Sequence, residues 1–277
     1  MPAPFIVTPG ITLGALQRQA PLPSLETRIL LSYALGLSRV QLITQDQRAL
    51  TADEAQTVSS LFSRRLAGEP IAYLVGEREF FGLAFEVTPA VLIPRPETEL
   101  LVELGVERLP HKGSALDMGT GSGAIAVALA HARRDAAVTA LDVSDVALAV
   151  ARRNAARHGV PVRFLQSDWY AALGDERFDV ILSNPPYIRA GDRHLSEGDL
   201  RFEPAGALTD HADGLAALRV IIAGAPAHLL PRGWLLMEHG YDQAADVRAL
   251  LSAQGFTEVQ SWTDLAGIER ATGGRLP

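Results

Sequence analysis

In the first part of the chain, apolar residues recur at helical spacing. Ala55, Val58, Leu61, Phe62 and Leu66 form one stripe, spaced to share a helix face. Thr51 with Glu54 three residues on is a capping-box pattern at its start, and Gly68 with Pro70 stops it. Ser24 is placed to cap another helix through Leu25, Ile29, Leu30 and Tyr33, ending at Gly36. Around residue 80 the period falls to two: Phe81, Leu83, Phe85 and Val87 alternate with Gly82, Ala84 and Glu86. That pattern predicts strand, in a hairpin leading out of the helical part. Pro89, Pro94 and Pro96 follow closely. The resulting division is a helical domain over 1–75, a hairpin linker over 76–95 and a larger domain over 96–277.

From residue 114 strands and helices alternate. Ala115–Met118 is an apolar strand, followed by a glycine-rich turn and a helical run over Ala124–Ala132. Val138–Leu141, Val162–Leu165, Phe178–Leu182 and Trp234–Met237 read as further strands, with a helix over Ser144–Arg157 closed by Gly159. Val259–Trp262 follows a helix over Tyr241–Gln254. Strands separated by helices imply right-handed crossovers, hence an α/β fold with a doubly wound, mostly parallel sheet. No helix is evident between Val259–Trp262 and the tail Glu269–Leu276, so an antiparallel end is expected.

Composition narrows the class. The 277 residues suit one large domain or two smaller ones, and 48% are hydrophobic. Ala124–Ala130, a long apolar run, stops far short of a membrane span. The first basic residue is Arg18, and Pro2, Pro4 and Pro9 interrupt what precedes it, unlike a signal peptide. Absence of cysteine removes disulfides, thiolate metal sites and cysteine nucleophiles together. A cytoplasmic protein with no metal site and no membrane partner is expected.

Net charge is −7, and Lys112 is the only lysine. Residues 1–90 carry seven arginines against eight acids, so neither part has the basic excess of a nucleic-acid binder. The pairs Arg64-Arg65, Arg133-Arg134 and Arg152-Arg153 fall within helix-like segments and read as solvated faces.

The chemistry begins after the first parallel strand, at Gly119-Thr120-Gly121-Ser122-Gly123. Glycines at alternate positions permit a tight turn and let a ligand lie against bare backbone. The spacing is not that of a dinucleotide fingerprint, and no Lys-Ser/Thr follows, which argues against phosphates. Asp142 ends the second strand, where an acid can accept both ribose hydroxyls. It could equally serve the next helix start beside Ser144. After the third strand, Asp168 can take an adenine amino group and Trp169 can cover the ring, although a lone tryptophan is more often core. Together these favour an adenosine ligand, with S-adenosylmethionine a better match than NAD.

The fourth strand leads into Asn184-Pro185-Pro186-Tyr187. Two prolines fix the backbone and remove two donors. The Asn184 side-chain carbonyl and the Pro185 backbone carbonyl can each accept one hydrogen of a substrate NH2, while Tyr187 offers a flat face for stacking. An amide nitrogen is a poor nucleophile because its lone pair is delocalised. Two acceptors favour pyramidalisation and aim the lone pair, so catalysis is mainly positioning and electrostatics.

This motif resembles that of amino-methyltransferases acting on planar nitrogens. Phe80-Phe81-Gly82-Leu83-Ala84-Phe85, Leu92-Ile93-Pro94-Arg95-Pro96-Glu97-Thr98-Glu99 and Gly198-Asp199-Leu200-Arg201-Phe202-Glu203-Pro204 resemble segments of the release factor glutamine methyltransferases. The resemblance runs to Glu269-Arg270, with Met118 where leucine is expected. It implies a Rossmann-like class I S-adenosylmethionine-dependent methyltransferase fold with an N-terminal helical domain that docks the substrate. It also implies methylation of the side-chain amide of the glutamine in the Gly-Gly-Gln loop of class I peptide chain release factors, with S-adenosylhomocysteine as product. On that basis Gly119, Thr120, Gly121, Ser122, Gly123, Asp142, Asp168, Trp169 and Asn184 are expected at the cofactor. Asn184, Pro185, Pro186 and Tyr187 are expected at the substrate, with Asn184, Pro185 and Tyr187 catalytic. Arg95, Glu97 and Glu203 shape the site, and Glu238 could face the substrate or take a backbone N–H.

Rivals remain. An adenine-N6-directed nucleic-acid methyltransferase poses the same chemical problem, yet needs basic grooves for a flipped base. A non-catalytic adenosine-binding protein would not need Asn184 and Tyr187. An NAD-dependent dehydrogenase is disfavoured by the glycine spacing.

Overall fold

A computed structural model describes residues 5–277, leaving Pro2 and Pro4 outside. It divides into two compact units, Met1–Glu77 and Arg78–Pro277. In the first unit, α1 (Leu13–Gln19), α2 (Ser24–Leu35), α3 (Arg39–Thr44), α4 (Ala52–Leu66) and α5 (Ile71–Val75) surround Leu13, Leu16, Leu30, Leu31, Leu42 and Phe62. The Thr51–Glu54 capping box forms as expected: Glu54 N–H donates to Thr51 Oγ1 at 3.3 Å, and Thr51 N–H donates to Glu54 Oε2 at 2.9 Å. Ser24 is not the cap of α2 but its first residue. Pro23 holds the cap position with φ −52° and ψ 143°, an extended geometry its ring pre-sets.

The hairpin comprises β1 (Glu77–Phe80) and β2 (Leu83–Glu86). Phe81 is not in a strand, as the alternation implied, but turns the chain with Gly82. Both have positive φ, 52° and 72°, the requirement of a tight two-residue hairpin turn. Phe81 is held there by its N–H donating to Glu99 Oε1 at 2.8 Å.

The second unit continues with α6 (Glu99–Arg108), β3 (Ser114–Met118), α7 (Ala124–Ala132), β4 (Ala137–Asp142), α8 (Asp145–Arg157), β5 (Val162–Gln166) and β6 (Phe178–Ser183). It ends with α9 (Ala205–Leu208), α10 (Ala216–His228), β7 (Leu229–Glu238), α11 (Ala244–Ala253), β8 (Thr257–Thr263) and β9 (Glu269–Arg275). The sheet order is β5-β4-β3-β6-β7-β9-β8. Strands β3 to β7 are parallel, and β9 runs antiparallel to both β7 and β8, so the expected antiparallel end is present.

Strand alternation divides the core between the two faces. Ala115, Val180 and Leu182 pack with α6, α7 and α8, whereas Leu116, Met118, Ile181 and Met237 pack with α10 and α11. Helix α11 starts three residues later than its apolar pattern suggested, because the Gln243 side chain turns back to accept from Gly240 N–H at 2.8 Å. Arg133 and Arg134 lie beyond α7 rather than on a helix face. The Arg133 guanidinium donates to the carbonyls of Val106 and Pro110 at 3.2 and 2.8 Å, satisfying acceptors that a chain reversal would leave unpaired.

Candidate active site

The direction of chain progression reverses across β3, since β4 and β5 lie on one side and β6 on the other. Such a switch point opens a crevice at the strands' carboxyl ends. There the structure has a cavity of about 330 Å³, walled by Gly119, Gly121, Leu141, Asp142, Asp168, Trp169, Asn184 and Pro186. Ala90 to Leu92, Ser144, Ser167, Pro204, Gly206 and Ala207 also border it. Among the described residues, two carboxylates and no basic side chain line it. An anionic phosphate would meet two carboxylates and no cation, whereas a cationic ligand with hydroxyls matches that charge.

The glycine turn is shaped by φ values of 71°, 55° and 83° at Gly119, Gly121 and Gly123, a region L-residues avoid. At Gly123 a Cβ would also come within 3.0 Å of Ala151 Cβ, so this glycine allows α7 to start against α8. Neither Thr120, Ser122 nor Gly123 lines the cavity wall. Thr120 instead donates its hydroxyl to Asp117 Oδ2 at 2.6 Å. The Ser122 carbonyl accepts from buried Asn154, whose amide also bonds the Glu86 backbone.

Asp142 accepts from Gly121 N–H and Ser144 N–H, each at 2.9 Å. Asp142 therefore lines the cavity and also serves the start of α8. Burial raises its pKa against those backbone donors. Asp117, at the end of β3, was not assigned a role by the sequence. It is fully buried, its Oδ1 has no hydrogen-bond partner among the described residues, and burial pushes it up to about 7. Its signal was available as an acid at the carboxyl end of the first parallel strand.

Trp169 has φ 45°, strained for a bulky residue. Ser167 supports it by donating to the Trp169 carbonyl at 2.7 Å and accepting from Ala172 N–H at 3.0 Å.

Asn184 and Tyr187 flank the two prolines. Ser183 Oγ donates to the Met118 carbonyl at 2.7 Å, tying the end of β6 to that of β3. Asn184 Nδ2 donates to Thr98 Oγ1 at 3.1 Å, and Thr98 Oγ1 donates to Glu238 Oε2 at 2.6 Å. Tyr187 Oη donates to the other oxygen of Glu238 at 3.1 Å. Gln243 Nε2 donates to the Tyr187 carbonyl at 3.0 Å. Pro185 and Tyr187 are not on the cavity wall. Burial beside Glu238 raises the Tyr187 hydroxyl well above its ordinary range. Among the described residues Glu238 accepts from two side-chain hydroxyls rather than a backbone N–H, and so joins the two ends of the motif. Glu203 is buried and accepts from Ile93 N–H at 3.0 Å and from Arg95, pinning the segment before α6 to the segment after the motif.

A seven-stranded sheet with one reversed strand, a glycine turn after β3 and an acid ending β4 define a Rossmann-like methyltransferase domain. The chain matches the methyltransferase small domain family over residues 96–201 and the PrmC N-terminal domain family over 15–76. A Pyrococcus furiosus methyltransferase structure shares the fold (TM-score 0.55, 22% identity, 78% of this chain and 98% of that one). So does the Thermus thermophilus 16S rRNA N2 G1207 methyltransferase (TM-score 0.53, 21% identity, 73% of this chain and 50% of that one).

Among relatives, the release factor glutamine methyltransferase of Burkholderia pseudomallei is 60% identical over 275 residues, 96% of each chain. That of Bordetella pertussis is 55% identical over 258 residues, covering 92% of this chain and 96% of its own. The chain belongs to the release factor glutamine methyltransferase family.

Proposed function

We propose that this protein, acting in the cytoplasm, transfers a methyl group from S-adenosylmethionine to the side-chain amide nitrogen of the glutamine in the Gly-Gly-Gln loop of class I peptide chain release factors. The observation that carries this reading is Asn184, whose amide sits on the wall of a cavity otherwise suited to an adenosine cation. The donor set fits that cofactor. Asp142 would accept from ribose hydroxyls, Gly119 and Gly121 would admit the ligand to bare backbone, and Asp168 and Trp169 would hold the adenine. When bound, S-adenosylmethionine supplies an electrophilic sulfonium methyl.

The protein's own part is positional. Asn184 Oδ1 and the Pro185 carbonyl each accept one N–H of the substrate amide. Holding both hydrogens away from the amide plane weakens delocalisation and leaves the nitrogen lone pair as a directed nucleophile. On transfer the methyl–sulfur bond would break as the N–C bond forms, its electron pair staying on the thioether sulfur of S-adenosylhomocysteine, and the nitrogen would release one hydrogen as a proton to water. Tyr187 and the prolines bound the amide plane. Helices α1–α5 dock the protein substrate; exposed Leu25, Tyr33, Val40 and Ile43 on that unit support this role.

The test is methyl incorporation from S-adenosylmethionine into an unmodified release factor, with a DNA duplex in parallel, followed by mass spectrometry. Transfer to the release factor is expected. Transfer to adenine instead would assign the same chemistry to a nucleic-acid substrate and overturn the partner.

A further inference from the structure

The hydroxyls of Thr98 and Tyr187 converge on one carboxylate, Glu238, which is fully buried at the end of β7. Each hydroxyl has a single hydrogen, and an ionised carboxylate can only accept. With its hydrogen committed to Glu238 Oε2, Thr98 Oγ1 has only acceptor capacity left for Asn184. The Asn184 group facing it must therefore be the NH2, as the 3.1 Å contact from Nδ2 shows.

We propose that Thr98 and Glu238 are positioning residues that fix the Asn184 amide in one orientation, leaving Oδ1 for the substrate nitrogen, and anchor Tyr187 on the same carboxylate. The proposal rests on the reading that Asn184 accepts from a substrate NH2. Its consequence is directional. A proton on Glu238 would let the carboxyl donate to Thr98 and let Thr98 donate to Asn184 Oδ1. The amide would then turn its own NH2 toward the substrate, setting donors against donors. The ionised state of Glu238 is thus the working state.

The groups acting on Glu238 are Thr98, Tyr187 and Arg270, which favour its charge, and Glu97, which opposes it. Burial dominates and pushes it up to about 7, which places the switch in an accessible range.

The experiment compares single-turnover rates of the unaltered enzyme, Thr98→Val, Thr98→Ser and Glu238→Gln on an unmodified release factor, across about pH 6 to 9. Affinity for S-adenosylmethionine is measured by calorimetry on each. The proposal expects Thr98→Val to slow transfer by about tenfold to a hundredfold with cofactor affinity within about threefold, and Thr98→Ser to recover most of the rate. It also expects an acid limb near neutrality in the unaltered enzyme that is flattened in Thr98→Val and Glu238→Gln. A Thr98→Val rate within about twofold of the unaltered enzyme, or an equal loss in Thr98→Ser, overturns it. If Thr98→Val loses the cofactor through a damaged fold, Glu238→Gln carries the test, and a persisting acid limb overturns the proposal. Failure of the unaltered enzyme to transfer to glutamine overturns the functional reading beneath it, a result distinct from all of these.

Discussion

The carboxylate of Asp142 accepts from the backbone N–H of Gly121, 2.9 Å away, at the carboxyl ends of the neighbouring strands β4 and β3. One side chain at the end of β4 therefore holds the glycine turn that follows β3. Asp142→Ala removes both the expected ribose acceptor and this tether. Losing a charge-assisted hydrogen bond costs roughly 1.5–3 kcal/mol, so S-adenosylmethionine affinity is expected to fall by about tenfold to a hundredfold. Asp142→Asn retains only one acceptor oxygen and is expected to fall between the two. Titration calorimetry checks the order.

Asn184→Ala removes an acceptor at the reacting nitrogen while leaving the glycine turn and Asp142 intact. Turnover is expected to fall by about 10²–10³, the size seen when one preorganised polar group is lost, with cofactor affinity much less affected. Steady-state and binding measurements on the same preparation separate the two.

Asp117 makes stability depend on pH. Burial holds its pKa at about 7, against an ordinary value of 3.8. Between those values the folded protein keeps a proton that the unfolded chain has released, so the stabilisation is complete below about pH 4 and declines as pH rises to about 7. The slope for one such group is at most about 1.4 kcal/mol per pH unit. Urea midpoints measured across that window should fall with pH in the unaltered protein and fall less in Asp117→Asn. Parallel curves would contradict the assignment.

Arg95 and Glu203 form an unequal pair: the Glu203 side chain is fully buried, whereas Arg95 is 31% exposed. Removing Arg95 leaves a buried carboxylate without its cation, at a cost of about 3–5 kcal/mol. Glu203→Gln keeps an acceptor for Ile93 N–H and leaves Arg95 in reach of water, so about 1–2 kcal/mol is expected. Chemical denaturation of the two variants should show Arg95→Ala as the weaker protein.

Much of this architecture was legible in residue order. Ala124–Ala132 and the strands around it follow from apolar runs punctuated by glycines, and α7 has the expected bounds. Helix α10 is not evident from the sequence, because Gly224 and Pro226 lie inside it and break the local signal. The glycine turn, Asp142 and Asn184 stand out in the sequence because each lies at the carboxyl end of an apolar strand pattern. Thr98 carries no sequence signal and Glu238 only an ambiguous one, because their pairing is a contact spanning 140 residues, for which one sequence has no periodicity to offer. For Thr120 and Ser122 the sequence offers a motif position at the cofactor turn, but not their contacts to Asp117 and Asn154.

Replacing the target glutamine by glutamate should abolish transfer. Its carboxylate would set acceptors against the Asn184 and Pro185 carbonyls, and sites built to bond a specific group reject analogues by about 10⁴–10⁵. Measurable methylation of the glutamate-bearing release factor would contradict the arrangement of acceptors.

The most direct measurement is fragmentation mass spectrometry of the release factor loop after reaction with isotopically labelled S-adenosylmethionine. The account predicts one label, on the side-chain amide nitrogen of the Gly-Gly-Gln glutamine, with the label nearly absent when Asn184→Ala is used. A label on any other residue of the release factor, or an undiminished label with Asn184→Ala, would contradict it.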